Sequence, residues 1–220
     1  MPLTQLKSPP RADARVTLKL ESLQVTGSFK ARGAMNPLLG TPLDQLRAGI
    51  VTASGGNHGL AVARTAHAAN VSAVVYVPKS VSPVKVAKMK KWSADVRILG
   101  DDWNQSNVAA LEHAARTGAV YFHRFADPLV VAGQGTLGLE VLDDLPDMDA
   151  IIDAIGGGGL ISGIGTAIRV RRACGQDRRR GTSWLADPEG EPRCRSGGDI
   201  GGNSVKGGDH VVPADRRAHF

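Results

Sequence analysis

Ile50-Val51-Thr52-Ala53-Ser54-Gly55-Gly56-Asn57-His58-Gly59 is a short apolar and β-branched run that ends in a paired-glycine turn and opens a helical pattern. A run of this length with no polar alternation reads as a strand covered on both faces, the usual state of a parallel strand. The first-turn N–H groups of the helix that follows have no intrahelical acceptor, and the helix dipole favours an anion there. In an open parallel sheet, ligands sit beyond the carboxyl ends of the strands, where such a turn lies. The same order recurs at Ala150-Ile151-Ile152-Asp153-Ala154-Ile155, which leads into Gly156-Gly157-Gly158-Gly159-Leu160. One junction suits a phosphate and the other a carboxylate. Taken singly, either reads equally well as a tight strand-to-helix connection. The second is not a dinucleotide fingerprint, because Ile161 or Ser162 stands where the third glycine of G-x-G-x-x-G belongs.

Outward from these junctions, strand-like and helical segments alternate. Val16-Thr17-Leu18-Lys19-Leu20 alternates in polarity, and Ser72-Ala73-Val74-Val75-Tyr76-Val77 and Val96-Arg97-Ile98-Leu99 are further short apolar runs. Helical patterns fall near residues 28–39, 57–69, 82–92, 103–117, 133–145 and 160–172. This alternation predicts an α/β protein with a largely parallel, doubly wound sheet, and the run 150–155 is expected to be one of its strands.

A third segment, Thr26-Gly27-Ser28-Phe29-Lys30-Ala31-Arg32-Gly33-Ala34, gives the turns a chemical purpose. Alone, Lys30 reads as a solvated helix lysine. Beside two glycine turns it reads differently, since a lysine amine can condense with an aldehyde cofactor whose phosphate rests on backbone N–H groups. That pairing points to pyridoxal phosphate. An acyl-transfer site at Ser28 and Lys30 is disfavoured, because the spacing is not S-x-x-K and no oxyanion motif accompanies it.

On the motifs S-F-K-x-R-G-A, S-x-G-N-H-G and G-G-G-G-L, from about residue 16 to about residue 168, the chain resembles the fold-type II pyridoxal-phosphate enzymes, in the serine/threonine dehydratase and serine racemase branch. The resemblance implies a tryptophan-synthase-β-like fold of two parallel-sheet domains. Residues 1–38 and 146–172 would belong to the larger domain and 39–145 to a smaller α/β domain; the family would have further strands of the larger domain after these, but residues 173–220 read by composition as an irregular or disordered tail, which leaves that domain incomplete. The resemblance also implies that Lys30 carries the cofactor and acts as the base at Cα, that Phe29 lies against the cofactor ring, and that Asn57 meets the ring hydroxyl. Gly156, Gly157, Gly158, Gly159 and Leu160 would hold the phosphate, and Ser54, Gly55 and His58 would line the pocket for the substrate carboxylate. For His58, a structural role as a helix-opening residue bonded to backbone is left open. The implied reaction is loss of ammonia from L-threonine or L-serine to give a 2-oxo acid. The alternatives are a truncated non-catalytic remnant, a serine racemase or a hydroxyaspartate dehydratase. Racemisation needs a second acid on the opposite face of the substrate, which the resemblance places at position 55, and glycine offers no side-chain proton there. A homodimer is the assembly that the resemblance suggests.

Composition excludes other classes. The net charge of +6 is spread unevenly: residues 169–220 hold 11 of the 27 Lys and Arg and 7 of the 21 Asp and Glu. With aromatics at only 4%, the chain lacks the interleaved basic and aromatic surface of a nucleic-acid module. No apolar stretch reaches membrane-spanning length, and the first residues do not read as a secretion signal, so a cytoplasmic protein is expected. Cys174 and Cys194 form no metal-ligand spacing, and no metal is expected. After about residue 168 the composition turns to Arg and Gly. That change predicts a poorly packed tail and is what a frameshifted or truncated copy would give, without the residue that meets the cofactor's pyridine nitrogen.

Overall fold

The computed structural model describes residues 1–7 and 13–174. The expectations for a tail and a frame change fall largely on residues 175–220, outside the described residues.

A parallel sheet of four strands is built in the order β5-β4-β3-β6, with β3 at Ile50–Ala53, β4 at Ala73–Val77, β5 at Asp95–Ile98 and β6 at Val120–Tyr121. Crossover helices α2 (Asn57–Ala68), α3 (Pro83–Lys91) and α4 (Trp103–Thr117) join them. The two-residue period of the strands sorts the core into two layers. Ile50, Ala73, Val75 and Val77 pack with α2 and with Met89 of α3 on one face, while Val51, Ala53 and Tyr76 pack with Ala110 of α4 on the other. β3 is buried along its whole length because β4 and β6 flank it and helices cover both faces. α4 has clean stops: the Asp102 side chain accepts from the Gln105 N–H, and Gly118 closes the helix in the left-handed conformation.

A second layer is all helical. α1 (Lys30–Gly40), α5 (Pro128–Asp144) and α6 (Gly159–Cys174) pack together, with Leu137, Val141, Leu142, Ile164 and Ile168 buried between α5 and α6. Small residues set the close approach: a Cβ on Gly163 would stand 2.4 Å from Val131 O of α5. A short antiparallel pair, β1 (Leu3–Gln5) with β2 (Thr17–Lys19), lies apart from the parallel sheet.

Three expectations are corrected. Residues 150–155 form no strand; Ile152 is 96% exposed and Ile155 69%. A ladder needs a neighbour to pair with, and no described strand pairs with this run; Ile151 packs against the α5–α6 cluster, and one Asp153 carboxylate oxygen is buried without a hydrogen-bond partner among the described residues. The strand expected over 16–20 does not join the parallel sheet and pairs instead with β1. α5 begins at Pro128 rather than 133, since the Asp127 carboxylate accepts from the Leu129 and Val130 N–H groups and proline suits the first helical position. Gly133, Gly135 and Gly138 in its middle weaken the helical pattern that sequence reading relies on.

Candidate active site

Two of the three motifs touch one short seam, residues 122–125, which follows β6, and the third reaches the same seam by its opening histidine. Lys30 stands at the first position of α1, and its Nζ donates to Arg124 O at 2.9 Å. His58, at the second position of α2, reaches Phe122 O at 3.2 Å through Nε2. A carbonyl can only accept, so Nε2 carries the proton, and Nδ1 is buried without a partner among the described residues. A Cβ on Gly157 would stand 2.4 Å from the Phe125 ring, and one on Gly159 would stand 2.8 Å from Phe125 O. Only glycine lets that loop lie on the seam.

The amine is tuned by its surroundings. Burial, and then the positive charge of Arg124, hold the Lys30 ammonium below its ordinary range, which raises the fraction of neutral nucleophile. His58, 2% exposed, is pushed down to about 3, chiefly by burial, with the Phe122 carbonyl opposing and the charges of Lys30, His123 and Arg124 adding to the effect. Burial keeps it a neutral hydrogen-bond donor to Phe122 O in the wall of the site.

The remaining candidates lie around this centre. Phe29 packs against the α5–α6 cluster, with Lys30 Nζ 5.1 Å from its ring centroid. Leu160 joins the same cluster from the first turn of α6. Ser54 is buried and its Oγ accepts from the Gly56 N–H at 3.3 Å. Gly55 faces Val81, whose Cγ2 would be 2.9 Å from an added Cβ. Asn57 opens α2 and is exposed to solvent. Gly156 has open space around it, and Gly158 takes a left-handed φ of 81° to turn the chain into α6.

The seam itself was not singled out from the sequence. His123 Nδ1 accepts from the Phe125 and Ala126 N–H groups, at 3.1 and 2.7 Å, so its Nε2 bears the proton in the neutral ring. The Arg124 guanidinium lies 3.8 Å over the Trp103 ring. The available signal was compositional: Tyr121, Phe122 and Phe125 are three of nine aromatics in the whole chain, clustered around a histidine and an arginine.

Behind Lys30, Arg32 anchors the helix. Its guanidinium donates to both Glu21 oxygens at 2.9 Å and to Glu140 at 2.7 and 2.9 Å, and Lys19 adds pairs to Glu140 and Asp144. The Arg32 hydrogen bonds hold the Glu140 carboxyl well below the usual carboxylate range. The network ties β2, α1 and α5 together and fixes the direction in which Lys30 points.

A phosphate-bearing aldehyde fits this arrangement. The half-buried amine is the group that would condense with it, and the free N–H groups of the loop 156–159 at the α6 N-terminus would take its phosphate. Among the described residues no cluster of His, Cys, Asp and Glu could hold a metal ion, and no helix is long and apolar enough to cross a membrane.

Residues 1–207 match the model of a family described as pyridoxal-phosphate dependent enzymes. Over 154 residues the chain is 46% identical to an L-threonine ammonia-lyase of Geobacter sulfurreducens, covering 70% of this chain and 38% of that protein. The fold is similar to the processed form of threonine deaminase isoform 2 from Solanum lycopersicum, with a TM-score of 0.68 and 34% identity over 70% of this chain and 42% of the other. It is also similar to maize serine racemase, with a TM-score of 0.69 and 33% identity over 71% of this chain and 47% of the other. The chain spans less than half the length of the curated relatives it matches.

Proposed function

The chain belongs to the pyridoxal-phosphate dependent enzyme family, and we propose that the whole protein is an ammonia-lyase that converts L-threonine or L-serine to a 2-oxo acid and ammonia. The observation that carries this reading is the Lys30 amine, half-buried, depressed in basicity and seated on the same seam as the glycine loop. Bound pyridoxal phosphate supplies an electron sink for charge that develops at the substrate Cα. Lys30 Nζ then takes the Cα proton, a task suited to an amine whose pKa lies closer to neutrality than usual. Ser54 and the N–H groups of the turn 55–58 orient the substrate carboxylate at the α2 N-terminus. His58 holds that turn against Phe122.

The wall at Gly55 favours elimination over racemisation. No side chain there can return a proton to the opposite face of Cα, and Val81 fills the space a larger residue would need. Small free amino acids as substrates, a cytoplasmic location and a homodimeric assembly complete the proposal; the location rests on the apolar pattern of the sequence and the assembly on the family resemblance alone. A non-catalytic form of the fold is the second reading, favoured by the bare run at 150–155.

The test is turnover of L-threonine by the full chain supplied with pyridoxal phosphate. We expect 2-oxo acid and ammonia in equal amounts, none from Lys30→Ala, and slower reaction with D-serine. Cofactor absorbance without product would select the second reading. Racemisation as fast as deamination would overturn the role of Gly55, and Gly55→Ser combined with Val81→Ala would show whether a serine there restores it.

A further inference from the structure

Gln134 lies near the middle of α5 and is 1% exposed, yet neither of its amide atoms has a hydrogen-bond partner among the described residues. No other described side chain has two polar atoms buried in this way. An unpaired buried amide is costly, because it has given up water and gained nothing in exchange.

Its position is specific. A Cβ on Gly33 would stand 2.0 Å from Gln134 Nε2 and 2.8 Å from its Cδ, so the carboxamide occupies the notch that this glycine leaves in α1. The two helices meet backbone to backbone there, since a Cβ on Gly133 would stand 2.9 Å from the Gly33 Cα and 2.6 Å from Arg32 O. Gly33 is one turn beyond Lys30, on the same face of α1.

That turn has little of its own to hold it. Phe29, at the N-cap, gives it no side-chain hydrogen bond. Pro37 stands inside the helix and has no N–H, so the Gly33 carbonyl lacks the donor that an α-helix supplies four residues on. An open acceptor on α1 and an open donor on α5 thus belong to residues in contact. In this arrangement Lys30 Nζ is engaged with Arg124 O, and the amide with nothing. A lysine amine that takes up an aldehyde gives up N–H donors and loosens its hold on such a carbonyl.

We propose that Gln134 is a positioning residue for Lys30: when the amine releases Arg124 O, the turn 30–33 settles on the Gln134 carboxamide, which donates to the Gly33 carbonyl that Pro37 leaves open and holds the amine in its working place. The proposal rests on the reading of Lys30 as the cofactor lysine. It explains why a position in the core of the helical layer holds a polar side chain, idle in the free protein and paired in the loaded one.

The experiment compares wild type, Gln134→Met, Pro37→Ala and the double variant, each as the full chain, with and without pyridoxal phosphate. Methionine keeps the shape of the side chain and removes its donor, while alanine at 37 returns an N–H to the Gly33 carbonyl. Without cofactor, Gln134→Met should unfold at the same urea concentration as wild type or higher, because an unpaired amide is gone. Its cofactor affinity, measured by equilibrium dialysis, should fall about tenfold, the scale of one lost hydrogen bond. In the Pro37→Ala background the same methionine substitution should change cofactor affinity by less than about twofold, since the carbonyl then has a donor of its own. A side chain that merely fills the core would lose urea stability and cofactor affinity together, and would do so in both backgrounds. That result, or a Gln134→Met protein that binds cofactor as well as wild type, overturns the proposal. If Pro37→Ala does not fold, the split between urea stability and cofactor affinity in Gln134→Met decides alone. Wild type that carries no reducible cofactor on Lys30 would mark the failure of the underlying reading, and the proposal falls with it.

Discussion

The runs 50–53 and 150–155 are alike in composition and opposite in fate. Both are short and apolar, and both lead through a glycine turn into a helix. Every residue of β3 is buried between two partner strands and two helical layers, while Ile152 and Ile155 stand in solvent. The local signal is the same, so the difference lies in lateral neighbours: strand formation depends on the surface that receives the strand. The turn and helix start are local devices, and they form in both places. α6 opens at Gly159 although the run before it is unpaired, so the glycine loop meets the seam without a finished strand behind it.

The same charge placed in each run separates the two most sharply. Val51→Asp buries a carboxylate with no partner and should abolish cooperative urea unfolding, whereas Ile152→Asp should change stability by about 0.5 kcal/mol or less. Collapse of the Ile152 variant would mean that this run is packed. A smaller effect should follow from adding one methyl to the two glycine regions. Gly163→Ala drives a Cβ into Val131 O and should cost about 1–3 kcal/mol as α5 and α6 separate. Gly156→Ala enters open space and should cost about 0.5 kcal/mol or less in the same unfolding measurement.

A pH series sharpens the contrast at the wall of the site. The folded His58 titrates at about 3 and the unfolded residue near its ordinary 6.5, so the unfolded chain takes up the proton first as pH falls. Its contribution to stability is intact above about 6.5 and is lost progressively between about 6.5 and about 3. His58→Gln, which can still donate to Phe122 O, should flatten the unfolding midpoint across that window. An unchanged pH profile would show that the histidine is not held neutral. The smallest effect concerns Lys30. Arg124→Leu removes a nearby positive charge, so the Lys30 pKa should rise and the pH profile of its reaction with an aldehyde reagent should move to higher pH. A shift to lower pH would contradict the electrostatic assignment.

Much of this was legible in the residues because the signals were local. Asp102 and Gly118 bracket α4, whose bounds of 103 and 117 are those its sequence pattern gives. The α/β alternation and the helix starts after each glycine turn are of the same kind. What sequence could not give was partnership. Residues 150–155 carry the pattern of a strand without a neighbour, and β6, with two residues, is too short to show any period. The start of α5 was written in Asp127 and Pro128, but the glycines behind it, needed for close packing, masked the helix. The seam 122–125 is not legible in the sequence for a deeper reason. Its importance comes from carbonyls and ring faces that meet Lys30, His58 and the glycine loop only after the chain folds.

The most direct measurement is to incubate the full chain with pyridoxal phosphate, reduce with borohydride and map the modified peptide by mass spectrometry. Lys30, half-buried on the seam with lowered basicity, should carry the phosphopyridoxyl group, and Lys30→Ala should carry none. Lys19 is held by Glu140 and Asp144, and Lys79 pairs with Asp101 in solvent, so neither should compete. The label on Lys19 or Lys79, with Lys30 unmodified, would contradict the account.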